Sequence, residues 1–349
     1  MRLIFLLLSL LLVFTSAHAN NLRTKDTPLD SLNDIDAKLA FTCVHEKIPT
    51  ASPETDSLFR YARWLQKNNQ LKQDKTVDAE IERLYRIAAE NQHYKANINL
   101  QNGTARGQFT LSGEEVLRLS QQLIDAKVAT GYYLIATYLQ RGVAGLQQDA
   151  NMALRYYRKA ADEGSAQAQT YLADKLAPID IAPEVARLMR QCAAAQGNGD
   201  AALALGINLS TAKNYKAALE AFQIGVAGGN EFAAFTLAGS FNGAKPADLL
   251  YYLDQAEDSD RARRYEQISK MLGDWSYANP AVPEINDIVP LPPAKLPAWD
   301  GKLKWVEERK ANVQPPKPSE ALIGQLAKAK LLDPKTGKPL PESPLYEKN

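Results

Sequence analysis

Tyr156-Tyr157-Arg158-Lys159-Ala160-Ala161-Asp162-Glu163-Gly164-Ser165-Ala166-Gln167-Ala168-Gln169-Thr170-Tyr171-Leu172 is the stretch that decides the fold. Extended back to Ala153-Leu154, its first half puts apolar residues at 153, 154, 157, 160 and 161, the three-to-four spacing of an amphipathic helix. Gly164 follows, where a left-handed residue would close that helix. Ala168 and Leu172 then stand four apart, on one face of a second helix. The frame returns as Ala193-Ala194-Ala195-Gln196-Gly197 with Ala201 and Leu205, and as Gly225-Val226-Ala227-Gly228-Gly229 with Ala233 and Leu237. Upstream, Ala88-Ala89-Glu90-Asn91-Gln92 leads to Ala96 and Leu100, and a weaker copy centres on Leu134. The intervals between these Leu anchors are 34, 38, 33 and 32 residues. A period of that length marks stacked helical hairpins, none of which can bury its apolar face alone. The expected fold class is all-α, an α/α solenoid.

The quoted stretch resembles the Sel-one-like repeat, a relative of the tetratricopeptide repeat. Tyr85-Arg86-Ile87-Ala88-Ala89-Glu90-Asn91-Gln92-His93-Tyr94-Lys95-Ala96 is similar to it too, with Gln92 where that family has Gly, and the Val143-to-Asp149 loop resembles its inter-helix loop. The resemblance covers roughly 55–260, with departures at Pro178–Pro183 and in the last copy. It implies a concave surface lined by the positions two and five before each Leu anchor and two after it. That nominates Lys95, Tyr132, Gln167, Thr170, Asp174, Phe232 and Phe235 as partner-binding candidates. Each can equally serve as inter-repeat core. Tyr132, Phe232 and Phe235 stand out because exposed aromatics anchor interfaces.

The chain opens like an export signal. Arg2 precedes an apolar run from Leu3 to Phe14, and Thr15-Ser16-Ala17-His18-Ala19 ends in an Ala-x-Ala exit with cleavage expected after Ala19. The run is shorter than the ~20 residues that span a bilayer. In a bacterium the expected destination is the periplasm. An oxidising compartment favours a Cys43–Cys192 disulfide, with buried free thiols as the alternative. No metal site is expected. Cys43-Val44-His45-Glu46 has no second Cys/His cluster, and Pro49 stands where a His-Glu-x-x-His helix needs its second His.

Thirteen of the 19 prolines follow residue 279, so the architecture changes there. Asn279 to Pro297 cannot be continuous helix and is expected as extended chain, with short helices at Gly301–Ala311 and Ser319–Leu332. Trp275, Trp299 and Trp305 lie in or beside it, which argues that it packs on the last repeat as a cap. The expected divisions are a signal peptide (1–19), an N-terminal segment (20–54), the repeat array (55–260) and a proline-rich capping domain (261–349).

Arg264-Tyr265-Glu266 together with Val289-Pro290-Leu291-Pro292-Pro293-Ala294-Lys295-Leu296-Pro297, Trp299, Asp300 and Gly301 resembles an uncharacterised C-terminal domain of exported Sel-one-like proteins in Gram-negative bacteria. Phe41-Thr42-Cys43-Val44-His45-Glu46 and Tyr61-Ala62-Arg63 resemble the N-terminal part of the same proteins. That resemblance implies a periplasmic immunity protein that binds and blocks a type VI secretion phospholipase or lipase effector. A general envelope scaffold is the alternative.

Composition points to a soluble, near-neutral, mainly helical protein. There are 41 Lys and Arg against 40 Asp and Glu, without the basic excess of a general nucleic-acid binder. No Gly-x-Ser-x-Gly elbow, phosphate-cradling loop or His-Glu-x-x-His is present, so neither catalysis nor a cofactor is expected. His93 reads as a packing or solvent-contact residue of its repeat.

Overall fold

The computed structural model describes residues 40–176 and 182–346; the signal-peptide reading, residues 20–39 and Pro178–Ile181 lie outside them. Six consecutive helical hairpins follow one another: α1 (Pro53–Asn69) with α2 (Lys75–Glu90), α3 (Tyr94–Ala105) with α4 (Gly113–Asp125), and α5 (Thr130–Arg141) with α6 (Ala150–Asp162). Then come α7 (Ala166–Leu176) with α8 (Pro183–Ala195), α9 (Gly199–Thr211) with α10 (Tyr215–Ala227), and α11 (Glu231–Phe241) with α12 (Ser259–Asp274). Each second helix packs on the first helix of the next hairpin, so the protein is an all-α solenoid. Among the described residues the β structure is one isolated bridge, Leu332 to Pro339.

The repeat frame explains the core. Leu100, Leu134, Leu172, Leu205 and Leu237 are all buried, one in each first helix from α3 to α11. Burying one such side chain stabilises by roughly 1.5–3 kcal/mol. The alanines four residues earlier, Ala96, Ala168, Ala201 and Ala233, are fully buried and leave room for the preceding helix.

Seven residues before four of the five anchors sits the helix cap, the exception being Leu134, whose helix follows Ala129 without a side-chain cap. Asn198 and Asn230 accept the Ala201 and Ala233 amides through Oδ1, each at 2.9 Å, and Ser165 accepts the Ala168 amide at 3.4 Å. These satisfy amides that a helix start leaves without partners. His93 holds the same position, its Nδ1 accepting the Ala96 amide at 3.0 Å. An Nδ1 that accepts must be unprotonated, so the imidazole is neutral with its proton on Nε2, 3.5 Å from Asp56 Oδ1. Burial holds its pKa below the ordinary value, against the opposing pull of Asp56.

Two extensions lie across the array. The N-terminal one, from Phe41 to Ile48, crosses the turns between hairpins. Glu46 N donates to Gly164 O at 3.2 Å, and Glu46 Oε1 accepts both the amide and the hydroxyl of Thr130, at 2.6 and 2.8 Å. Thr130 occupies the repeat's Ala position, and this contact accounts for the departure. Cys43 and Cys192 form a disulfide that ties the extension to α8.

The C-terminal extension is the proline-rich part. Its carbonyls face few amides, and two arginines of α12 serve them instead. Arg261 donates to Pro290 O at 3.0 Å and Ala294 O at 2.8 Å. Arg264 donates to Ile288 O and Pro297 O, both at 2.6 Å. Gln223 of α10 adds Nε2 to Val289 O at 2.8 Å and accepts the Tyr265 hydroxyl at 2.7 Å. Val282, Ile285, Val289, Leu303 and Val306 complete one core with α10, α11 and α12.

The extension reaches further than a cap on the last repeat. After α13 (Ile285–Ile288) and α14 (Lys304–Ala311), α15 (Glu320–Ala329) packs on the first hairpin, where Ile323, Ala327 and Leu332 join the core of α1 and α2. Arg83 of α2 meets Glu320 at 2.5 Å and donates to Pro334 O at 2.6 Å. Residues beyond α12 therefore bind both ends of the array.

Candidate partner-binding surface

The seven concave-face candidates separate into two groups. Lys95 and Gln167 are exposed. Asp174 is exposed but engaged, accepting Arg190 of α8 at 3.0 Å. The Thr170 hydroxyl turns back onto Ala166 O at 2.8 Å. Tyr132 is half-buried, with its ring 6.3 Å from that of Tyr156 and the Lys159 ammonium 5.8 Å from its centroid. None of these five forms an apolar surface.

Phe232 and Phe235 do. They are 60% and 51% exposed on α11, although large aromatics are normally buried. On the adjoining α9, Ile207 is 49% exposed at the equivalent of the position two after an anchor. The loop between α11 and α12 adds Leu249 and Leu250, 88% and 62% exposed. That tip is built, not frayed. Asp248 Oδ1 accepts the amides of Leu250 and Tyr251 at 3.2 and 3.3 Å, an Asx turn that presents the two leucines. Behind it, the Tyr251 ring packs edge-on to Phe235 with centroids 5.8 Å apart. Gly239 permits this, since a Cβ there would lie 2.4 Å from the Tyr251 ring.

Between α11 and the loop lies a cleft of about 630 Å³. Phe235, Ala238 and Tyr251 line its apolar part, and Lys245, Asp248 and Glu266 edge it. Aromatic residues inside a polar rim are the composition of protein-binding patches. Ile207 and the Leu249-Leu250 tip were missed by the sequence reading. The positional rule itself falls on Ile207, two after Leu205, and for the tip the run Leu249-Leu250-Tyr251-Tyr252 in a loop was the available signal.

The groups with the strongest titration shifts lie elsewhere. Burial pushes the Tyr85 and Tyr138 hydroxyls up to about 12 and raises Tyr265 further. All three are hydrogen-bonded core phenols, to Gln66, Gln101 and Gln223 respectively. The Cys43, His45 and Cys192 ligand atoms lie within 4.8 Å of one another. With both sulfurs joined, that cluster offers a metal only the His45 imidazole, since thiolates are what bind. No helix of the described residues is long and apolar enough to cross a membrane.

A family profile, described as a domain of unknown function (DUF6396), matches residues 233–340, the last hairpin together with most of the C-terminal extension. No curated protein matches the chain. Among solved structures, the immunity protein PA5088 from Pseudomonas aeruginosa superposes with a TM-score of 0.56 at 27% identity, over 72% of this chain and 94% of that one. The chain is similar to bacterial immunity proteins. PA5087, also described as an immunity protein from P. aeruginosa, matches at 27% identity and TM-score 0.53, over 73% of this chain and 95% of its own. P. aeruginosa PA5086 gives 28% identity and TM-score 0.54, over 72% and 95%. The likeness spans nearly all of each relative.

Proposed function

We propose that this chain is a periplasmic immunity protein that binds a secreted type VI lipase or phospholipase effector and occludes it. The observation that carries the reading is the likeness, over nearly their whole length, to two P. aeruginosa proteins described as immunity proteins. The leader ending in Ala17-His18-Ala19 supports export. Ile207, Phe232, Phe235, Leu249 and Leu250 form the partner-facing surface, with Lys95, Tyr132, Gln167, Thr170 and Asp174 continuing along the first helices. Occlusion needs only a large rigid face, and no catalytic residue or cofactor has to be supplied.

A pull-down of tagged chain starting at Asn20, from the periplasm of cells expressing candidate type VI effectors, tests the reading. One dominant partner with lipase activity that falls silent on binding supports it. Recovery of several resident envelope proteins and no effector would replace it with a general envelope scaffold.

A further inference from the structure

A second recess lies where the C-terminal extension meets the first hairpin. Its volume is about 290 Å³, and it is walled by Phe59, Arg60, Arg63, Trp64 and Lys67 of α1, by Glu308 and Arg309 of α14, and by Asn312, Val313 and Pro315 just beyond it. The seam is fixed. Trp64 Nε1 donates to Asn312 O at 3.3 Å, Asn68 and Asn312 exchange amide hydrogen bonds at 3.0 and 2.7 Å, and Arg309 Nη2 donates to Lys67 O at 2.8 Å.

The charge in this recess is unbalanced. Four cations, Arg60, Arg63, Lys67 and Arg309, face one carboxylate, Glu308. Arg60 has a partner in Asp56 at 3.8 Å. Arg63 donates instead to the neutral Gln66 Oε1 at 2.7 Å, and Arg309 to a backbone carbonyl. Among the described residues Arg63, Lys67 and Arg309 make no ion pair. The Lys67 pKa is lowered, first by burial and then by Arg63 and Arg309, with Glu308 opposing. Lys67 therefore sits in the positive field of Arg63 and Arg309.

We infer that this recess binds a phosphate group, either free or as the headgroup of an anionic phospholipid. A phosphate brings up to two negative charges and several acceptor oxygens, matching two guanidinium forks and an ammonium. A single carboxylate brings one charge and leaves the set unbalanced. Phe59 and Trp64 supply an apolar wall for whatever the phosphate is attached to. Because α1 and the α14 end both contribute, a bound phosphate would also hold the extension on the first hairpin.

The test uses the full chain from Asn20, titrated with inorganic phosphate at ionic strength held constant with sodium chloride, followed by calorimetry and thermal melting. A parallel arm measures sedimentation with phosphatidylglycerol vesicles. Saturable one-to-one binding with a rise in melting temperature, weakened about tenfold or more in Lys67→Ala and Arg63→Gln, supports the inference. Lys67→Arg should retain binding, and Lys216→Ala, on the exposed side of α10, should match the parent. Lys67-dependent vesicle binding without phosphate binding assigns the headgroup as the source. No binding in either arm overturns the inference. So does an equal effect of acetate, or phosphate binding that survives Lys67→Ala unchanged.

Discussion

Gly229 and Gly197 occupy the same place in successive repeats, and replacing each with alanine separates two costs that usually travel together. Their φ angles are nearly identical, +85° and +86°, so each alanine carries the left-handed backbone penalty of roughly 1–2 kcal/mol. Around Gly197 a Cβ meets nothing within 4 Å. At Gly229 it would lie 1.9 Å from Pro280 O, a backbone atom of the C-terminal extension. Relief requires moving that strand, and with it the bond from Val282 N to Ala227 O at 3.0 Å. Overpacking adds about 1–3 kcal/mol and the lost hydrogen bond about 1. Gly229→Ala should therefore be the less stable of the two by roughly 2–4 kcal/mol. Urea unfolding followed by far-UV circular dichroism reads this as a midpoint roughly 0.7–1.3 M lower, taking m near 3 kcal/mol/M. Trypsin should also cut sooner after residue 279 in Gly229→Ala than in Gly197→Ala. Equal midpoints and equal cleavage would refute the docking of the extension on this turn.

Three further outcomes follow from the packing. Replacing Cys43 and Cys192 with serine opens a link between residues 149 apart, should cost about 2–4 kcal/mol, and should expose 41–52 to proteolysis, as read by urea midpoint and mass spectrometry. His93 has a folded pKa below its unfolded one, so below the ordinary imidazole pKa the unfolded chain takes up a proton that the folded chain resists. Its contribution to stability is therefore present above that pKa and lost as pH falls towards the folded value. His93→Asn keeps the cap acceptor and should flatten this part of the stability profile between pH 7 and 5, measured by urea midpoints at each pH. Gln223→Ala removes the acceptor of Tyr265 and the donor to Val289 and Asn286, and should cost about 2–3 kcal/mol by the same assay, while Tyr265→Phe should cost about half as much.

The array was legible because its signal is periodic. Five leucines and their small partners repeat one geometric requirement, and the structure buries every one of them. What broke the period was legible only in part. Gln92 stands at the glycine position and adopts a φ of +65°, so backbone geometry was conserved while the residue type was not. His93 looked like packing, and its role as a cap emerges only from alignment with Ser165, Asn198 and Asn230. Thr130 departs from alanine because Glu46, 84 residues away, needs its hydroxyl and amide. The grip of the C-terminal extension on the first hairpin joins residues such as Arg83 and Glu320, 237 apart, and no local pattern marks such a pairing. On the candidate surface, the positional rule reached Phe232 and Phe235 because they lie on a repeat helix. Leu249 and Leu250 lie on a loop outside the repeat frame, where that rule has no positions to offer.

Occlusion of an effector is tested most directly by titrating the lipase activity of the recovered partner with the chain from Asn20. Activity should fall linearly and stop at one equivalent, with the lipase unmodified by mass. Phe232→Glu with Leu249→Glu, 60% and 88% exposed in the parent, should leave folding intact and shift the curve to large excess. Inhibition at far less than one equivalent, a covalent change in the lipase, or no inhibition at any ratio would contradict stoichiometric occlusion.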